Sequence, residues 1–230
     1  MDIYFYETRE TKKNVIHLIG VQITDSESYL QKMLDVITDT SWISRLDKIS
    51  QRSYKACAAK TIPILSSLFQ DAVEPISGEV GEYIVSLSSL DILEFKLKHK
   101  PVPLSEIWKS RAKGNDGFDF HTHTDCGRLN FGEAKFNRSQ HSYSKAANQI
   151  LKFIKDNKDD ADLIHLRNII QEKLMEEKID KKEFYYSIAF SINGKDTKEI
   201  LENALNSMEV KTLLKKTKVF FLIGVKIASV

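Results

Sequence analysis

Gly117-Phe118-Asp119-Phe120-His121, then Asp125-Cys126-Gly127, then Phe131-Gly132-Glu133-Ala134-Lys135-Phe136 is the stretch whose reading decides the fold. Its arms are rich in Phe and hold few breakers, which suits strands half buried on a pleated surface, with a short polar turn between them. If Asp125, Cys126 and Gly127 form a three-residue loop, with Gly127 in the left-handed conformation such loops favour, Thr124 faces Arg128. Counting outward then sets Asp119 opposite Glu133. Opposed residues share a side of the sheet, as do residues two apart, so Asp119, Glu133 and Lys135 are expected to converge on one face.

Two carboxylates and an amine on one face have a chemical use. Asp119 and Glu133 offer hard oxygen ligands to Mg²⁺, or to Mn²⁺ in its place. Mg²⁺ usually takes one or two carboxylates and keeps its other positions for water and substrate phosphate. Such an ion acidifies a bound water and stabilises charge on a phosphoryl oxygen. Lys135 would orient or deprotonate the attacking water, and the expected chemistry is phosphodiester hydrolysis. A Glu-x-Lys by itself is a common solvated pair on an edge strand. The hairpin, the apolar flanks and an aspartate in register set this one apart. Asp116 is a second candidate for the aspartate, and the register favours Asp119.

Gly117-Phe118-Asp119 followed by Glu133-Ala134-Lys135 resembles the metal-binding signature of the PD-(D/E)xK nuclease superfamily. The resemblance covers about Gly78 to Phe190. It implies an α/β, restriction-endonuclease-like core with a central mixed β-sheet flanked by helices, in the order helix, mostly antiparallel three-stranded meander, helix and further strand. On this reading the chain is one nuclease domain, with an N-terminal α/β elaboration over 1–75, the core over 78–192 and a C-terminal helix and strand over 193–230. The superfamily's first core helix often offers a glutamate towards the metal, which carries over to Glu79, with Glu82 in reserve. Equally, Glu79 suits the first turn of a helix, where its charge meets the positive end of the dipole. The superfamily's proline before the aspartate is absent here. A narrower similarity, in Gly78-Glu79, Gly114-x-Asp116-Gly117 with His121, and Phe131-Gly132-Glu133-x-Lys135, is to the nuclease component of Hachiman-type phage-defence systems. It implies a DNA endonuclease working beside a helicase partner.

The 230 residues, 42% of them hydrophobic, suffice for a substantial core. No run of roughly eighteen apolar residues predicts a membrane span. Met1-Asp2-Ile3-Tyr4 lacks the basic start and apolar middle of a signal peptide. With Cys57 and Cys126 as the only cysteines, the expectation is a cytoplasmic protein with free thiols and no membrane partner. The net charge of +2 is too balanced to announce nucleic acid, so contacts to DNA are sought in local clusters. Lys96, Lys98, Lys100, Lys109, Arg111 and Lys113 stand against the single acid Glu106, with Trp108 among them for stacking, and are expected to track a phosphate backbone. Arg138 and Lys145, with Gln149, are expected to project towards phosphate from a helix starting at Asn137 or Ser139.

Elsewhere, Ile3–Tyr6 and Val15–Val21 predict strands, and Asp25 or Ser26 caps a helix carrying Tyr29, Met33 and Ile37. Pro63 is expected to kink or end a second helix. Val80, Tyr83, Ile84, Leu87, Leu90 and Leu93 give the helix after Gly78 a broad buried stripe. Phe95–Lys100 alternates apolar and basic, predicting a strand with one wet face that Pro101 and Pro103 end. Asp159–Lys182 reads as a surface helix, and Phe184–Phe190 as a central strand. Asp196 with Glu199 starts a further helix, and Val219–Val225 is a last buried strand. Two alternatives stay open. His121-Thr122-His123-Thr124-Asp125 is similar to the zinc motif of metallo-β-lactamase-like hydrolases, with Cys126 where that motif has its last His. The same fold could also bind nucleic acid without cutting it.

Overall fold

The computed structural model describes residues 1–71, 76–109, 117–171 and 174–228. Its centre is a seven-stranded mixed sheet of β1 (Asp2–Glu10), β2 (Val15–Ile23), β3 (Lys100–Pro101), β4 (Phe120–His123), β5 (Leu129–Lys135), β6 (Tyr185–Ser191) and β7 (Val219–Ile227). Their order across the sheet is β1-β2-β7-β6-β5-β4-β3. The inner strands β2, β7, β6 and β5 run parallel, while β1 on one side and β4 and β3 on the other are antiparallel. Parallel strands covered on both faces need near-continuous apolar sequence, which β6 and β7 supply. The first two strands are part of the same sheet. β2 joins the sheet in parallel with β7, from Val15 facing Val219 to Ile23 facing Ile227.

Helices α1 (Ser26–Thr38), α2 (Lys48–Gln70), α3 (Gly78–Leu97), α4 (Ser105–Trp108), α5 (Tyr143–Lys155), α6 (Lys158–Ile170), α7 (Leu174–Ile179), α8 (Thr197–Asn206) and α9 (Met208–Leu214) flank it. Asp25 caps α1 through the Ser28 N–H, and Asp196 caps α8 through that of Glu199. Among the described residues no helix is long and apolar enough to cross a membrane. Cys57 and Cys126 are both free.

Four local expectations are corrected. Pro63 does not end helix α2, because Tyr54 and Ala58 before it and Leu65 and Phe69 after it are all buried, and this packing outweighs the broken backbone bond. Residues 95–97 are the end of α3 rather than a strand. Lys98 closes that helix in the left-handed conformation (φ 58°), its N–H reaching the Glu94 and Leu93 carbonyls, and only Lys100–Pro101 is left to pair with β4. Helix α5 starts at Tyr143, since Asn137 uses its side chain to accept from the Ser139 and Gln140 N–H groups in a turn, which leaves Arg138 off the helical surface. Over 158–179 there are two helices, and α6 turns Asp159, Asp162 and Leu166 inward.

The hairpin has the expected register. The Thr124 N–H donates to Arg128 O (3.0 Å), the Gly127 N–H donates to Thr124 O (2.9 Å), and Gly127 has φ 78°. Phe120 faces Gly132 and His121 faces Phe131, so one further step sets Asp119 against Glu133. Gly132 is required by packing: a Cβ there would lie 2.2 Å from the Phe120 ring. Gly132→Ala should therefore cost about 1–3 kcal/mol, read as a lower denaturation midpoint. Gly78→Ala, with nothing within 4 Å of its added carbon, should leave the midpoint unchanged or raise it. Equal effects of the two substitutions would contradict the packing account.

Candidate active site

The site is built at the carboxyl end of β5. Glu133 is fully buried (0% exposed), while Lys135 stands two residues on, at the margin of the sheet. Asp119 lies just before β4, where its N–H donates to Gly132 O (2.9 Å) and its Oδ2 accepts from the Ala134 N–H (2.8 Å). That carboxylate takes a ladder position a backbone carbonyl would otherwise fill, which fixes it beside Glu133. Lys135 Nζ is 2.7 Å from Glu133 Oε1 and 3.6 Å from Glu82 Oε1. The 2.7 Å approach is an ion contact, and among the described residues no well-aligned hydrogen bond reaches either buried Glu133 oxygen.

Neighbouring segments hold this arrangement. Gly81 of α3 admits the Phe136 ring, which a Cβ would meet at 2.2 Å, and this contact sets the first turns of α3 against the end of β5. The Ser191 hydroxyl accepts from the Asn137 N–H (2.9 Å) and donates to Asn137 O (2.8 Å), tying the chain after β5 to β6. The Arg138 guanidinium donates to Ile76 O, just before α3. Phe118 packs against Phe131 and Phe153, with centroids 4.9 and 5.1 Å away, and so makes an apolar wall.

The electrostatics follow from this enclosure. Asp119 is part-buried as a residue, but its carboxyl is crowded by protein, and burial raises its pKa to about 7 against the pull of Lys135 and the Ala134 N–H. Burial, then repulsion from Asp119, pushes Glu133 well above the ordinary carboxylate range despite Lys135. Burial pulls the Lys135 ammonium down, but Glu133, Asp119 and Glu82 together outweigh it and leave its pKa raised. Lys135 is thus a firmly held ammonium. Like charges so placed cannot both ionise cheaply.

The other candidates sit elsewhere. Glu79 is exposed in the first turn of α3, and the glutamate that meets Lys135 is Glu82. Lys96 lies over the Tyr6 ring (4.8 Å), Lys98 over Phe95 (5.8 Å), and Lys100 pairs with Asp125 (2.9 Å) at the hairpin tip, the end of β5 away from Glu133. Lys145 is exposed on α5. Arg111, Lys113 and Asp116 lie outside the described residues. Lys109 is turned inward onto Asp162, and the other oxygen of Asp162 meets His121 Nε2 at 3.1 Å. Burial pushes Asp162 up, but His121 and Lys109 overcome it and hold it below the usual carboxylate range, while burial lowers the His121 imidazole against the pull of Asp162. This trio behind the site was not read from the sequence. Its signal is Asp159, Asp162 and Leu166 at helical spacing, acids on an apolar stripe. Within the histidine run, His121 is committed to Asp162 and Asp125 to Lys100. Among the described residues no three His, Cys, Asp or Glu side chains gather as a metal site. The zinc arrangement is therefore not assembled by these residues, whereas a Mg²⁺-type ion needs only the carboxylate pair.

No family model and no curated protein sequence matches the chain.

A carboxyl with a raised folded pKa stabilises the fold while it is protonated. That contribution is complete below its unfolded value of 3.8 and is lost as pH rises through about 7 for Asp119. In chelator the protein should therefore lose stability across this window. At about pH 8, Glu133→Gln should melt above the intact chain by about 2–4 °C or more in a thermal scan. A lower melting point for that variant would contradict the repulsion described.

Proposed function

We propose that the protein is a metal-dependent DNA endonuclease of the PD-(D/E)xK kind, hydrolysing phosphodiester bonds with Mg²⁺ or Mn²⁺ held by Asp119 and Glu133. The observation that carries this reading is the Glu133 carboxyl, fully buried, crowded by a second carboxyl and met by the Lys135 ammonium at 2.7 Å. A buried charge is costly without a compensating partner, and one ammonium does not neutralise two carboxylates. Hard oxygens in that state suit a divalent cation of the Mg²⁺ type. The order of elements supports the same reading: α3, the antiparallel run β3-β4-β5, α5, and β6 parallel to β5 follow the sequence expected of that core.

Bound there, the ion would supply a polarised water and charge stabilisation at phosphorus. The remaining work falls to this chain's own groups. Asp119 and Glu133 hold oxygens at fixed positions, because one is pinned by the Ala134 N–H and the other by its place in β5. Lys135, kept protonated by its three acidic neighbours, orients the attacking water and faces the charge growing on the phosphoryl oxygens; deprotonating the water is the role its raised pKa disfavours. Glu82 is the outermost of the acids and steadies Lys135. On the motif's resemblance to the Hachiman-type nuclease, we extend the proposal to activity beside a helicase in antiviral defence, in the cytoplasm.

The test is plasmid cleavage with Mg²⁺ or Mn²⁺, comparing the intact chain, Glu133→Ala with Lys135→Ala, and a chelator control. Cleavage that needs the metal and falls by about a hundredfold or more in the double variant is expected. Cutting that survives in chelator or in the double variant contradicts the assignment. So does absence of cutting by the folded chain even with a helicase partner and ATP.

A further inference from the structure

The basic residues read from the sequence as the DNA track are mostly engaged with protein groups, yet a strongly cationic groove lies elsewhere. It is half open, about 810 Å³ in volume, and sits at the amino ends of β2, β7 and β6, bounded by Val15, Val219 and Tyr185. Glu133 and Lys135 are at the carboxyl end of β5, which is parallel to β6, so groove and carboxylates occupy opposite ends of one sheet. A strand of this length spans about 20 Å.

Three segments distant in sequence bring cations to this groove. The β1–β2 turn brings Lys12 and Lys13, the approach to β6 brings Lys181, and α9 with the turn after it brings Lys211, Lys215 and Lys216. All six are exposed, and none makes an ion pair among the described residues. Three further cations are committed: Lys182 to Asp160, and Arg128 and Lys218 to Glu183, the one acid lining the groove.

The floor is rigid. The Asn14 side-chain amide donates to Leu214 O (2.8 Å) and Thr217 O (2.6 Å), which staples the β1–β2 turn to the turn before β7. The Val15 N–H donates to Lys218 O (2.8 Å), and the Thr217 hydroxyl donates to Phe184 O (2.9 Å), which adds the approach to β6. Like charges held together repel, and the fold sustains them here with hydrogen bonds to backbone carbonyls rather than with counter-charges. Tyr185, with the Arg128 guanidinium 5.9 Å from its ring, adds an aromatic edge to the same wall.

We propose that this groove is a second nucleic-acid contact, an exosite that grips the phosphate backbone about six base pairs from the bond to be cut, taking the duplex rise as about 3.4 Å. The identity of the polyanion rests on the nuclease reading; the cationic groove does not. Release of counterions from a polyphosphate by clustered lysines supplies sequence-independent affinity, and that affinity falls steeply with salt.

The experiment measures binding of a fluorescent 20-base-pair duplex by anisotropy in chelator, so that no cutting intervenes, across a salt series. It compares the intact chain with Lys12→Gln/Lys13→Gln/Lys215→Gln/Lys216→Gln and with the exposed-lysine control Lys55→Gln/Lys60→Gln, each checked for fold by circular dichroism. The groove variant should lose about tenfold or more in affinity, and the slope of log affinity against log salt should flatten by about 3–4, while the control stays near the intact chain. An unchanged affinity and slope in the folded groove variant overturns the exosite. Equal losses in both variants, or binding of polyglutamate in preference to the duplex, does the same. Cleavage retained without groove-dependent binding refutes only the exosite, and groove-dependent binding without metal-dependent cleavage refutes only the nuclease.

Discussion

Two carboxyls set against each other across a hairpin, with one ammonium held against Glu133, are the constraint on which the rest of this structure depends. Asp119 and Glu133 repel, and burial strengthens the repulsion by removing the water that would screen it. Left to itself the pair would protonate or swing apart. It cannot swing apart: the Ala134 N–H holds Asp119, and Glu133 is part of a strand paired on both sides. What can relieve it is positive charge, and Lys135 supplies half of what is needed.

The surrounding fold can be understood as the support for that strain. The three-residue turn at Asp125–Gly127 fixes the register, Gly132 admits the Phe120 ring and Gly81 admits Phe136. Each removes a freedom that would let a carboxyl escape. On the far side of the hairpin, His121, Asp162 and Lys109 join α6 and the α4 region to β4 through a buried ion pair and hydrogen bond. Such groups contribute little net stability, but removing one would leave the others buried and uncompensated. The sheet separates two charge groups by its polarity: acids with one lysine at the carboxyl end of β5, and, at the amino ends of β2, β6 and β7, lysines that make no ion pair among the described residues.

The sequence made the hairpin legible because turn chemistry and period-two alternation are local signals. Gly127 and the Phe-rich arms were enough to set Asp119 against Glu133. The parallel inner strands were legible as apolar runs, but their order was not, because pairing β2 with β7 joins residues about two hundred positions apart and leaves no local trace. Phe95–Lys98 misled because alternation over a few residues also fits the end of an amphipathic helix, and the left-handed closure at Lys98 falls on a residue that does not advertise it. The spatial grouping of lysines was not legible, for a different reason: lysines near in sequence are directed to Tyr6, Asp125 and Asp162, while lysines from three distant segments are gathered by Asn14 and Thr217. Clustering in space is a property of topology, not of composition.

The measurement that bears most directly on the central claim is calorimetric titration of Mn²⁺ into the intact chain at about pH 7, in buffers of differing ionisation enthalpy. If Asp119 and Glu133 share a proton because no cation separates them, binding must expel it. The account predicts uptake of the ion with release of about one proton, falling away as pH rises, and no such binding in Glu133→Gln. Absence of binding, or binding without proton release that survives in Glu133→Gln, would contradict it.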